Sequence, residues 1–344
     1  MIRTGHADWN EELIAGQVQA ERAKLDAAAA HGLQAWVWLG NVPNLAPSPG
    51  RNDRLLTAIV NGLEGHRGLG AWKGIDEPAW RKSPAAGLVR AYKRIKALDP
   101  AHPVVIVQAP RGTVAELSRY RGTFDVTGAD IYPVSYPPGT HAAATRKDIG
   151  LVGDVTRRMV AASGGKTVWA TLQIAWSGVL PPGHVPRFPT LHDERFMAYD
   201  AIVAGARGLV FFGGHLTQVM RPVDASAGWN WSFWEQVLRP LVAELKSGAV
   251  EPALLAPKAP TAVRAGAKEV QVATRRAGGF LYVIAVRRGG GTSTVGFSGL
   301  PAKVGGGEVL GEYANGRFRQ VAASGGAFRD WLAPYDARVY RFPA

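Results

Sequence analysis

The segment Gly70-Ala-Trp-Lys-Gly-Ile-Asp-Glu-Pro78 closes an apolar run, Leu69 to Ile75, with two adjacent carboxylates and a proline. A buried parallel strand with that ending delivers an acid to the mouth of a barrel. A carboxyl kept in apolar surroundings holds its proton near neutral pH and can donate it to a leaving group. Glu77 is therefore the candidate general acid, with Trp72 or Trp176 as the apolar wall. Successive strand residues point to opposite sides. Asp76 and Glu77 are accordingly expected to divide their work, one facing a pocket and the other bracing a neighbouring strand. The plainer alternative is a carboxylate that caps or salt-bridges the following helix.

Other side chains at apparent strand ends could complete such a site. Asp130, in Gly128-Ala-Asp-Ile-Tyr-Pro133, is the second carboxylate, a candidate base or a hydroxyl-orienting group. Asn41, Gln108 and Gln173 offer amides that hydrogen-bond hydroxyls. Trp72, Tyr132, Trp176 and Trp229 offer aromatic faces on which sugar rings stack, and His215 offers a polar wall. Gln173 cannot be a nucleophile. No metal is expected, because His184, His192 and Asp193 lack ligand spacing. No cofactor is expected either: the chain has no Gly-x-Ser-x-Gly elbow, no phosphate-binding Gly-x-x-x-x-Gly-Lys-Ser/Thr loop and no Gly-x-Gly-x-x-Gly fingerprint.

The elements that must position these residues alternate from residue 35 to about 250. Strands are expected at Ala35–Gly40, Leu69–Asp76, Pro103–Gln108, Asp125–Asp130, Thr167–Gln173 and Gly208–Gly213. Helices are expected at Asn10–His31, Asp53–His66, Pro84–Leu98, Thr145–Ala162, Leu191–Ala206 and Ser232–Lys246. Repeated βα units point to a parallel sheet with helices outside, closing as a TIM barrel. Six strands are clear where such a barrel needs eight, and Met1–Gly5 reads as the tail of another. The barrel is thus expected to be incomplete at its N-terminus. After Pro252 the pattern changes to short β-rich runs separated by Gly-rich turns, which reads as a small antiparallel β-sandwich. The expected domains are residues 1–252 and 253–344.

The bulk numbers exclude several classes. With 47% hydrophobic and 19% charged residues, the 344-residue chain is of ordinary globular composition. No apolar run is long enough to span a membrane. No basic stretch followed by an apolar run opens the chain, so secretion would require a leader upstream of Met1. There are no cysteines, hence no disulfides or thiolate sites. The net charge of +13 is spread as scattered arginines whose longest clusters are pairs, such as Arg157-Arg158 and Arg275-Arg276, which argues against a nucleic-acid partner. Arginine also suits an acidic sugar.

Together these segments resemble TIM-barrel glycoside hydrolases of the clan A type that carry a C-terminal β-sandwich. Gly70–Pro78 resembles the strand-4 acid segment, Phe124–Pro133 strand 6, and Val168–Gln173 strand 7. Arg195–Phe212 resembles the helix and strand that close the barrel, and Phe328–Phe342 the last strands of the sandwich. The resemblance implies an oligosaccharide, polysaccharide or glycoside substrate. It places strand 1 and most of strand 2 upstream of Met1 and puts Glu77 at the acid/base position. Asp76 stands where the clan usually has Asn, and Gln173 where it has the nucleophilic Glu. Three chemistries remain open. Glu77 and Asp130 could be acid and base of an inverting hydrolysis. Asp76-Glu77 could act on a 2-acetamido sugar whose own amide is the nucleophile. Or the barrel could bind a glycan without cutting it.

Overall fold

The structure, a computed structural model, describes residues 1–45, 50–136, 148–174, 185–186, 189–212, 233–260 and 262–344. The described chain divides into two compact units. One is Met1–Asp130 with Val155–Thr171, and the other is Ile131–Asp154 with Leu172–Ala344. A seven-stranded sheet has the order β1 (Ile2–Gly5), β2 (Ala35–Trp38), β3 (Leu69–Lys73), β4 (Val104–Gln108), β5 (Val126–Ile131), β7 (Thr167–Gln173), β9 (Gly208–Phe212). The short pair β6 (Ser135–Tyr136) and β8 (Val185–Pro186) forms a separate ribbon. Strand order that follows chain order, with helices between, is the incomplete (β/α)8 arrangement expected. Met1–Gly5 is confirmed as a strand: β1 pairs parallel with β2 from Ile2↔Ala35 to Gly5↔Trp38.

In the first unit, β1 to β5 pair parallel in sequence order. All five residues of β4, Val104–Gln108, are buried, as a strand covered on both faces requires. The helices α1 (Ile14–Ala30), α2 (Gly50–Leu63) and α3 (Ala85–Leu98) lie between the strands in sequence. Leu55, Leu56, Ile59, Val60 and Leu63 form the buried stripe of α2, at helical spacing, and share a core with Leu69, Trp72 and Val104. Pro84 holds the N-cap of α3, where a missing amide costs little. A one-turn helix, α4 (Val114–Ser118), has a full capping box between Thr113 and Glu116 and was not anticipated. Gly128 lets β5 run close against β7: a Cβ there would sit 2.0 Å from the Trp169 carbonyl oxygen.

In the second unit, helix α5 (Leu191–Ala204) starts with a Thr190–Asp193 capping box and ends at Gly205, whose φ is +112°. A π-helical turn, Trp234–Leu238, leads into the helix Arg239–Leu245. The C-terminal sheet is antiparallel and eight-stranded. Its strands are β10 (Arg264–Ala265), β11 (Val270–Ala277), β12 (Phe280–Arg287), β13 (Ser293–Ser298), β14 (Gly306–Ala314), β15 (Arg317–Ser324), β16 (Ala327–Leu332) and β17 (Ala337–Pro343). They lie in the order β10-β13-β16-β15-β14-β17-β12-β11. Its core is aromatic, with Phe297 and Phe328 stacked at 4.5 Å and Tyr340 and Phe342 beside them. The parallel sheet's last strand ends at Phe212 and the antiparallel sheet begins at Arg264, on either side of residue 252. No helix among the described residues is long and apolar enough to cross a membrane.

Candidate active site

Strand β3 sends its side chains to two different places. Trp72 goes to the helix side. It is fully buried with Leu56, Ile59 and Ile95, and its indole N–H donates to Asp99 at 2.9 Å. The sequence reading gave Trp72 a ligand-facing role; the alternation of the strand puts it in the core instead. Lys73, the next residue, faces the other way. Its Nζ lies 2.5 Å from an Asp76 carboxylate oxygen and 5.4 Å from the centre of the Trp38 ring.

Beyond Lys73 the ladder gains one residue. Trp72 N–H donates to the Pro103 carbonyl and Gly74 N–H to that of Val105. A regular strand would next pair Asp76 with Val107. Glu77 takes that bond instead, at 2.9 Å, with φ at +47°. This insertion works as a β-bulge works, re-aiming side chains where pairing stops. A non-glycine residue in the left-handed region costs of order 1–3 kcal/mol and persists where its surroundings over-determine it. Asp76 ion-pairs with Lys73 of β3. The charges of Glu77 and Asp76 both bear on Asp130.

The electrostatics follow from that cluster. Burial raises the Glu77 carboxyl above its ordinary range, and the Asp76 charge raises it further, against Arg81, the Asp130 hydrogen bond and Lys73. Burial lifts the Asp130 carboxyl well above the usual carboxylate range, with Glu77 and then Asp76 adding to it. One oxygen of Asp130 is buried with no hydrogen-bond partner among the described residues. Burial lowers the Lys73 ammonium, opposed by Asp76.

The turn after Glu77 is clamped. Arg81 N–H donates to the Glu77 carbonyl and Ser83 N–H to that of Pro78. The Gln108 amide oxygen accepts from Ala79 N–H at 3.1 Å. The Tyr120 hydroxyl reaches both the Pro78 and Ser83 carbonyls, at 3.1 and 2.8 Å. Gln108 is thus a brace for the Glu77 turn rather than an exposed amide. Asn41 is exposed in the turn after β2.

Two more candidates belong to the second unit. Tyr132 is buried and stacked on Phe212, with ring centres 5.9 Å apart and planes at 14°. Gln173 is completely buried, and both ends of its amide are taken by one residue. Its oxygen accepts from Val134 N–H and its nitrogen donates to the Val134 carbonyl, each at 2.8 Å. The sequence reading had Gln173 bonding a ligand or a catalytic carboxylate; it bonds backbone. Trp176, His215 and Trp229 lie outside the described residues.

Two neighbours of Glu77 escaped the sequence reading. Lys73 was hidden in an apolar run, although a lysine inside a buried strand is itself a signal, because a buried ammonium needs a partner. Trp80, three residues past Glu77, is 56% exposed on the clamped turn, with the Arg111 guanidinium 4.5 Å from its ring centre.

No family model matches the chain, and no curated protein matches it in sequence. Solved structures do. A family 30 subfamily 8 xylanase from Clostridium acetobutylicum aligns over 100% of this chain and 89% of its own, at 14% identity and a TM-score of 0.53. A maltogenic alpha-amylase from Thermotoga neapolitana aligns over 96% and 81%, at 9% identity and 0.53. A protein described as a glycoside hydrolase aligns over 98% and 79%, at 14% identity and 0.59. The likeness is one of fold. It covers the parallel sheet and the C-terminal antiparallel sheet together, so the barrel-plus-sandwich architecture is that of these enzymes.

Proposed function

We propose that this protein is a glycoside hydrolase in which Glu77 protonates the leaving oxygen of a glycosidic bond. The observation that carries this reading is the bulged end of β3, which sets Glu77 beside Asp130 with its carboxyl raised by burial and by Asp76. The named activities of the structural neighbours, xylanase and amylase among them, support the same class.

In this mechanism Glu77 gives its proton to the departing oxygen as the bond to the anomeric carbon stretches. Asp130, the buried carboxyl beside Glu77, orients the acid. The group that attacks the anomeric carbon is the substrate's own 2-acetamido oxygen, oriented by Asp76, itself fixed by Lys73. Adjacent Asp-Glu pairs resemble those of substrate-assisted enzymes, which fall outside the usual rule of two separated carboxylates. Asn41, Tyr132, Trp176, His215 and Trp229 remain candidate contacts to the sugar.

The test is a panel of aryl glycosides, 2-acetamido sugars included, assayed with the wild type and Glu77→Gln. Release by the wild type that the variant loses supports the proposal; equal rates, or none from either, sink it. A second reading, a barrel that binds glycan without cutting it, draws on Gln173, whose amide is spent on Val134 where the family has its nucleophile. Saturable glycan binding without turnover would favour it.

A further inference from the structure

The C-terminal sheet carries an aromatic pair that neither its core nor the Glu77 cluster uses. Tyr313 is 71% exposed, and its ring centre lies 5.0 Å from that of Phe318. The two residues face each other across the β14–β15 hairpin, next to its Asn315-Gly316 turn. Asn315 and Gly316 both have positive φ, +53° and +75°, as a tight two-residue hairpin turn demands. The pairing register shifts between Val309 and Tyr313, and Gly311 in that interval has φ +82°. A hydrophobic side chain on an antiparallel strand normally turns inward. Here the irregularity re-aims the strand, and Tyr313 is held in solvent on a rigid turn.

Tyr313 and Phe318 line a cavity of about 420 Å³ together with Arg195, Glu244, Glu312 and Arg338. That volume is within the range of small-molecule sites. Every charge named here has an opposite partner. Arg195 Nε is 2.7 Å from Glu244, and Arg338 Nε is 2.6 Å from Glu312. The Tyr199 hydroxyl further fixes Glu244, at 2.7 Å, and Arg319 fixes Glu312, at 2.5 Å. A phosphate or a free carboxylate would have to compete with these acids for the arginines. A neutral ligand with many hydroxyls would not, because a paired guanidinium or carboxylate keeps spare donors and acceptors. An aromatic face beside charge-balanced donors and acceptors suits one ring chemistry, a pyranose with an apolar C–H face and equatorial hydroxyls.

We infer that this cavity is a second saccharide-binding site, with Tyr313 and Phe318 as its stacking platform and the two ion pairs as its hydroxyl contacts. The choice of a sugar rests in part on the glycoside hydrolase reading; the site itself does not need Glu77. Its role would be to hold a glycan chain without cutting it.

The test uses the full-length chain with Glu77→Gln, so that no polymer is consumed. Affinity electrophoresis through gels containing soluble xylan, starch, mixed-linkage glucan or glycol chitin reads retardation. Retardation by at least one polymer is expected, and adding Tyr313→Ala should weaken that binding roughly tenfold, as truncating an aromatic anchor does. Phe318→Ala should follow in the same direction. Tyr313 is exposed, so its removal should leave the circular dichroism and melting temperature unchanged. On an otherwise wild-type chain, Tyr313→Ala should also leave hydrolysis of a small aryl glycoside unchanged, which separates this site from Glu77. Retardation by none of the four polymers overturns the inference. So does retardation that Tyr313→Ala does not alter, since the binding would then lie elsewhere.

Discussion

In the proposed reaction Glu77 must keep its proton until the leaving group takes it, so the fraction of active molecules falls as pH rises through its raised pKa. Activity should therefore have an alkaline limb set by Glu77. Asp76 is one of the two causes that raise that pKa, and it also neutralises Lys73. In Asp76→Asn both effects act in one direction: a negative charge leaves and a buried positive charge is uncovered. The alkaline limb should move to lower pH in a profile of kcat/KM, and a limb that stays or moves up would remove Asp76 from the electrostatics of the acid. Leaving groups give a second measure. Glu77→Gln should cost about 10²–10⁴ in rate for a poorly activated alkyl glycoside. The loss should be far smaller for a nitrophenyl glycoside, which needs little protonation. A uniform loss across both substrates would mean that Glu77 acts by position alone. Asp130 makes a stability prediction. Its carboxyl is held above the ordinary value in the folded state, so ionising it costs stability as pH climbs from the unfolded pKa to the folded one. Asp130→Asn should raise the melting temperature at pH 7, by about 0.5–2 kcal/mol of stability, and raise it less at pH 4. A variant less stable than wild type at pH 7 would contradict the placement of Asp130.

Elements explain what the sequence could and could not tell. Period and boundaries were legible where one interaction dominates: α3 ends where Asp99-Pro100 stops it, and β4 is apolar because both faces are covered. The short helix α4 was missed because five residues carry too little periodicity, although its Thr113–Glu116 capping box is a local signature. The role of Trp72 was misread because an aromatic residue near a carboxylate looks the same from sequence on either face of a strand. The bulge at Glu77 could not be read at all. It exists because Val107 is paired three residues after Gly74 instead of two, and that is a property of two strands together. The turn that follows gives the element-scale prediction. Tyr120 reaches two carbonyls, of which that of Pro78 keeps the Ser83 N–H, so Tyr120→Phe should cost about 0.5–1.5 kcal/mol, the net range for one hydrogen bond. Because this turn carries Glu77, the same variant should lower kcat more than it raises KM. Unchanged kinetics with lowered stability would make Tyr120 a purely structural clamp.

At the scale of the whole chain, one arginine joins segments far apart in sequence. Arg288, just past β12, reaches Asp154 at 2.9 Å and Asp200 at 3.1 Å, and its guanidinium also donates to the Gly150 carbonyl. Asp200 is completely buried, and Gly153 N–H donates to it at 2.8 Å. A Cβ on Gly153 would lie 2.4 Å from that carboxylate, so the residue there must be glycine. The net charge of +13 does not reveal this tie, because most of the arginines in the sequence look alike. Losing Arg288 strands a buried carboxylate, and breaking a buried pair by removing one partner costs about 3–5 kcal/mol. Arg288→Met keeps much of the side-chain volume and should show that cost in chemical denaturation. If the cost is the stranded charge, adding Asp200→Asn should recover a large part of it, since the amide carries no charge to bury. The double variant should then be more stable than Arg288→Met alone. Strict additivity, with the second substitution lowering stability further, would mean that the tie acts through packing and not through charge.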